Sequence, residues 1–131
     1  GWEGVFPVAD TAIGKLAAIA SEEILYPEIA RAHALRGAEI FLHSTSEVGS
    51  PALTPKHIAK RARALENLAY VVSANSAGIE GTSIPAESTD GMSTVIDYKG
   101  MPLSEASAGE SMVAYATVDL EALRAWRRRP G

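Results

Sequence analysis

Ser21-Glu22-Glu23 sets a hydroxyl beside two carboxylates, and His43-Ser44-Thr45-Ser46-Glu47 adds an imidazole, more hydroxyls and another acid. These are the residue types of nucleophilic acyl transfer. Ser21 would be the nucleophile, His43 would take its proton, and Glu22, Glu23 or Glu47 would orient the ring. The backbone N–H of Glu22 follows the hydroxyl directly and is placed to donate to an oxyanion. Such a triad requires the imidazole of His43 within hydrogen-bond reach of the Ser21 hydroxyl. The glycine-flanked elbow of α/β-hydrolases is absent, because Ser21 lies between Ala20 and Glu22. On spacing alone, Ser21 also reads as an ordinary polar residue at a strand end. His33, His43 and His57 show no ligand spacing, so no metal site is expected. Gly78-Ile79-Glu80-Gly81 lacks the strand-to-helix setting and the lysine of a phosphate loop, and no cofactor is expected.

The surrounding pattern explains how these residues would be positioned. Residues 16–20 form an apolar run without alternation, as in a strand covered on both faces. The run stops at Ser21, and a tight connection leads to Pro27. There a helix opens with proline where its missing N–H costs nothing and with Glu28 in the first turn. The helix runs to Arg36, Gly37 caps it, and a second apolar strand over residues 38–42 delivers His43 at its tip. Strand, helix, strand is a βαβ unit with a right-handed crossover and parallel strands. Ligands bind beyond the carboxyl ends of such strands, where Ser21 and His43 both fall.

Before this unit, residues 4–9 read as a short β-like piece and residues 10–14 as a turn. After it, Gly49-Ser50-Pro51 breaks the chain, and Thr54 caps a second helix with Pro55 at its first position. Ile58, Ala62, Leu65 and Ala69 make that helix's apolar stripe, and Arg63 can pair with Glu66. Strands are expected at residues 69–75, 92–98 and 111–118, with a short edge strand at 101–106. Residues 76–91 read as loop, and Asp119 caps a last helix to about Arg128. The class is α/β, with about five strands and three helices.

Composition bounds the partners. The chain has 131 residues, 47% hydrophobic, with a formal net charge of -4. It carries no broad basic face for nucleic acid, and Arg127-Arg128-Arg129 reads as a solvated helix end. No apolar run approaches the roughly 20 residues that span a bilayer, so no membrane is expected. With no cysteine, a disulfide and a thiolate site are ruled out in these residues, which suits a cytoplasmic location. The chain opens at Gly1 rather than methionine, and a processed product or an excerpt of something longer is expected.

Several motifs together resemble the nitrilase superfamily of carbon–nitrogen hydrolases. Ser21 stands at its nucleophilic cysteine, Glu23 at the following acidic residue, Tyr26-Pro27-Glu28 at its aromatic-Pro-Glu, and Arg31 at the arginine three residues on. Gly37-Ala38-Glu39 matches the opening of the next strand, and Arg63-Ala64-Leu65-Glu66-Asn67 its Arg-Ala-x-Glu-Asn helix. Val71 to Gly78 resembles its next strand and Asn-x-x-Gly turn. Gly91-Met92-Ser93 through Asp97-Tyr98-Lys99-Gly100 resembles a later hairpin.

The resemblance implies half of a four-layer αββα sandwich, a mixed sheet with helices packed on it. Residues 1–131 would be the C-terminal half of the domain. It implies hydrolysis of small amides or nitriles through a thioester, with Ser21 catalytic and Glu22, His43 and Ser44 facing substrate. Glu23, Glu28 and Arg31 would hold the turn near the site. The family's glutamate base and lysine have no match here, and Ser21 replaces the thiol, so the activity would be absent or trapped. A non-catalytic scaffold or binding protein is the alternative. Subunits would pair through helices 27–36 and 54–68 into a homodimer or a larger even assembly.

Overall fold

The computed structural model describes residues 1–46, 54–75, 92–106 and 113–129. The βαβ unit is present. Strand β2 (Gly14–Ala20) leads through a 3-10 turn (Ser21–Leu25) into α2 (Pro27–Leu35), and β3 (Ile40–Thr45) returns parallel to β2, with Leu16 opposite Ile40. Gly37 ends α2 because the chain there needs a φ of 101°, which a side chain resists. The amides of Gly37 and Ala38 close the helix onto the carbonyls of Ala34 and His33. A second crossover follows through α3 (Pro55–Asn67) to β4 (Tyr70–Asn75), parallel to β3. Thr54 caps α3, its hydroxyl accepting from the His57 amide at 3.4 Å.

Antiparallel strands complete the sheet. β1 (Ala9–Thr11) pairs with β2, and β5 (Thr94–Ile96) and β6 (Pro102–Glu105) extend it beyond β4. The order is β1-β2-β3-β4-β5-β6, so the parallel strands lie at the centre. One face is covered by α2, α3 and the 3-10 turn. Ala17, Ile19, Phe41 and Val71 pack there against Ile24 and Ala64. Burying a side chain such as Phe41 contributes about 1.5–3 kcal/mol.

On the other face, the first residues of the parallel strands meet α4 (Leu120–Arg128): Ile40, Tyr70 and Leu123 form a second cluster flanked by Leu16 and Val72. Two arginines fasten α4 there. Arg124 makes two bonds to the Glu39 carboxylate, at 2.7 and 3.0 Å, and Arg127 donates to the carbonyls of Ala38 and Leu68. The bond from Arg124 is the main reason the Glu39 carboxyl titrates below its ordinary range, while burial lowers the pKa of Arg127. Further along this face, Ala18, Ala20, Leu42, Ser44 and Ala74 are exposed. Among the described residues no helix is long and apolar enough to cross a membrane.

The structure corrects several expectations. Of residues 4–9 only Ala9 is in a strand, opening β1, and the turn between β1 and β2 is confined to residues 12 and 13. A short helix α1 (Trp2–Val5) comes first, with Phe6 stacked on Trp2 and set edge-on against His33. β3 starts later than residue 38 and continues through Thr45, because its pairing with β4 runs to Asn75. His43 therefore lies inside the strand rather than beyond it. Ile58 and Leu65 of α3 are exposed, and the buried side holds His57, Lys60, Arg63, Ala64 and Asn67. Arg63 and Asn67 can face inward because the backbone is there to receive them: Arg63 donates to the Ile24 carbonyl and Asn67 to that of Arg63.

The strand of residues 92–98 shrinks to Thr94–Ile96, since Asp97 turns the chain by accepting from the amides of Lys99 and Met101. Residues 113–118 are not a strand, and Val113 and Tyr115 lie exposed. Arg127 is a half-buried clamp, not part of a solvated helix end. Gly49-Ser50-Pro51, residues 76–91 and Glu47 lie outside the described residues.

Candidate active site

Ser21 is the first residue after β2, and its φ is 44°. That left-handed value costs an L-residue on the order of 1–2 kcal/mol, and such strain persists only where surroundings impose it. Here the surroundings are visible. The Glu23 carboxylate reaches back to accept from the Ala20 amide at 2.7 Å, closing the turn around Ser21. Arg63 of α3 donates to the Ile24 carbonyl at 3.0 Å and to the Glu66 carboxylate at 2.6 Å, tying the far end of the turn to the helix. Glu22 forms an ion pair with Lys56 in the first turn of α3. A sharp, strained strand-to-helix turn carrying a half-buried hydroxyl is thus present without flanking glycines.

His43 is buried and close to Ser21, but not as a triad requires. Nε2 lies 3.0 Å from the Ser21 carbonyl oxygen, and Nδ1 lies 2.8 Å from Ser73 Oγ. Both ring nitrogens are therefore engaged, neither with the Ser21 hydroxyl. This follows from the strand period. His43 points to the helix-covered face in a row with Ile19 and Ser73, whereas Ser44 points to the open face beside Ala20 and Ala74.

The turn-holding residues differ in what they do. Glu23 makes the bond just described. Arg31 donates from α2 to the Glu66 carbonyl at the end of α3, at 2.8 Å, and Glu28 lies exposed on the first turn of α2. Ser73, Lys56 and Arg63 escaped the reading of the sequence as site residues. Ser73 sits in an apolar strand with nothing to mark it, and the partners of Arg63 and Lys56 lie far away in the chain. Only the Arg-Ala-x-Glu-Asn string pointed near them.

The carbon–nitrogen hydrolase family model matches residues 2–128. The chain belongs to this family. A probable nitrilase of Schizosaccharomyces pombe is 30% identical over 123 residues, covering 94% of this chain and 43% of that protein. The structure of a carbon–nitrogen hydrolase from Helicobacter pylori G27 superposes with a TM-score of 0.80 at 26% identity, over 92% of this chain and 45% of that one. A cysteine-to-serine variant of the amidase from Nesterenkonia sp. AN1 superposes with a TM-score of 0.73 at 30% identity, over 92% of this chain and 44% of that one. Another form of that amidase, at TM-score 0.68 and 33% identity over 79% and 38% of the two chains, carries an acetamide moiety added covalently at its active-site cysteine. This carbon–nitrogen hydrolase chain spans less than half the length of the relatives it matches. Its fold is the nitrilase-like α/β fold, with a mixed sheet.

Proposed function

We propose that this chain is the nucleophile-bearing, C-terminal half of a carbon–nitrogen hydrolase domain for small amides or nitriles, with Ser21 in the nucleophile's place. The observation carrying this reading is the left-handed φ of 44° at Ser21, where β2 gives way to the 3-10 turn. A nucleophile held on a strained elbow stands clear of its own backbone and next to the N–H groups of the following turn. In the family's reaction a thiolate attacks the amide carbon, the amine leaves with a proton, and water hydrolyses the acyl-enzyme. The glutamate and lysine that manage those protons and the oxyanion would come from residues outside this chain.

A serine hydroxyl is far less acidic than a thiol and needs a strong base to attack. His43 does not supply one, its ring nitrogens being committed elsewhere. The chain with Ser21 is therefore read as inactive or very slow. That same hydroxyl favours a second reading, a non-catalytic scaffold that keeps the fold for binding. The full-length protein carrying Ser21→Cys separates the two. Incubated with small amides, it should gain the mass of an acyl group and release ammonia. If no adduct forms on Cys at any amide tested, the scaffold reading takes over.

Assembly is part of the proposal. The exposed Ile58 and Leu65 on α3 support pairing of subunits through α2 and α3 into an even homo-oligomer. Leu65→Asp should lower the mass measured by light scattering, and an unchanged mass would remove these helices from the contact.

A further inference from the structure

We infer that His43, backed by Ser73, is a positioning residue that sets the orientation of the Ser21–Glu22 peptide and thereby aims the Glu22 N–H at the reacting centre. The catalytic consequence rests on the hydrolase reading of Ser21, whereas the orientation of the peptide does not.

A carbonyl oxygen can only accept, so the His43 nitrogen 3.0 Å from the Ser21 carbonyl, Nε2, must carry the hydrogen. Nδ1 lies 2.8 Å from the hydroxyl of Ser73. That hydroxyl donates to it when the ring is neutral and accepts from it when the ring is charged, so Ser73 braces the ring in either state. The Ser21 carbonyl thus fixes the tautomer, and Ser73, whose hydroxyl can donate or accept, anchors the other side of the ring. Both residues are buried, at 2% and 3% exposure, among the apolar side chains of the helix-covered face. Polar groups are placed in such a layer at a cost unless bonded, and here the bonds are made to each other and to the elbow.

The peptide geometry carries the effect to the other side. No peptide bond among the described residues is cis. In a trans peptide the C=O and the next N–H lie in one plane and point in opposite directions. Holding the Ser21 oxygen inward against His43 therefore turns the Glu22 N–H outward, away from the core. Donation to the carbonyl also polarises the same amide, which strengthens its N–H as a donor. The bond opposes any relaxation of Ser21 out of the left-handed region, since that rotation would swing the carbonyl off the ring. The register makes the arrangement rigid: Ile19, His43 and Ser73 are side-by-side partners on three parallel strands.

The test uses the full-length protein carrying Ser21→Cys as the parent, with His43→Leu, His43→Gln and Ser73→Ala added singly. Removing an oxyanion donor typically costs about 10²–10³ in kcat. His43→Leu should lower the acylation rate by about 10²-fold with KM changed by less than about threefold, as expected for an interaction realised in the transition state. His43→Gln, whose amide can still donate, should recover at least about tenfold of that loss. Ser73→Ala should cost several-fold in the same direction. Crystal structures of the variants supply the readout that does not depend on turnover: in His43→Leu the 21–22 peptide should rotate and φ at residue 21 should leave the left-handed region. If the parent is never acylated, the hydrolase reading fails while this structural readout still decides the proposal. A 21–22 peptide unmoved in both His43→Leu and Ser73→Ala would overturn it, as would full acylation in His43→Leu. Should His43→Leu fail to fold, His43→Gln and Ser73→Ala carry the same comparison.

Discussion

Strain at one residue and pairing at another can be read directly in stability. Ser21 holds φ at 44° without being glycine, so Ser21→Gly should stabilise the full-length protein by about 1 kcal/mol in urea unfolding. A loss of stability would mean that the elbow is not strained. The opposite substitution applies at Gly100, where φ is 79° and an added Cβ would sit 3.1 Å from both the Arg61 carbonyl and Leu65 Cβ. Gly100→Ala should cost about 1–2 kcal/mol or more. Glu39 gives a pH dependence. Its carboxyl titrates below the ordinary value of 4.5, chiefly through the bond from Arg124, so its stabilisation is complete above that value and is lost as pH falls through the lower folded pKa. The difference in melting temperature between the wild type and Glu39→Gln should therefore be full at neutral pH and shrink as the solution becomes strongly acidic.

At the scale of elements, the two capped helices rank themselves by geometry. Asp119 accepts from the Ala122 amide at 2.9 Å, whereas Thr54 accepts from His57 at 3.4 Å. Asp119→Ala should cost about 1 kcal/mol and Thr54→Ala about half that, measured by denaturant unfolding. An inverted order would show that packing, not capping, holds these ends.

The elements were legible where local chemistry decides them. Pro27 and Pro55 at helix starts, Gly37 at a helix end, and apolar runs between them marked out β2, α2, β3, α3 and β4, and the resemblance covered the same stretch. The inward side of α3 was not legible, because Arg63 and Asn67 are buried by bonds to carbonyls that the sequence does not place. The clamps on α4 were hidden for the same reason: Arg124 and Glu39 are separated by 85 positions, Arg127 and Ala38 by 89. At the site, the position of Ser21 was readable and its backbone angle was not. His43 was visible as a residue near the edge, but the extra length of β3 turned it inward and gave it a different task.

For the whole molecule, the sheet is covered unequally. α2 and α3 cover one face, while α4 covers only the beginning of the parallel strands on the other, leaving Leu42 and its small neighbours open. Residues 1–131 expressed alone should therefore self-associate with rising concentration in sedimentation velocity, and a monodisperse monomer with a single cooperative melt would contradict this. The form of any association is constrained by the rims. β1 has only three residues, and β6 opens on Pro102, whose ring nitrogen has no hydrogen to donate to a newcomer. Fibre-like growth, one backbone zipping onto the next, thus finds poor purchase at both ends of the sheet, and copies that gather will do so by laying surfaces together.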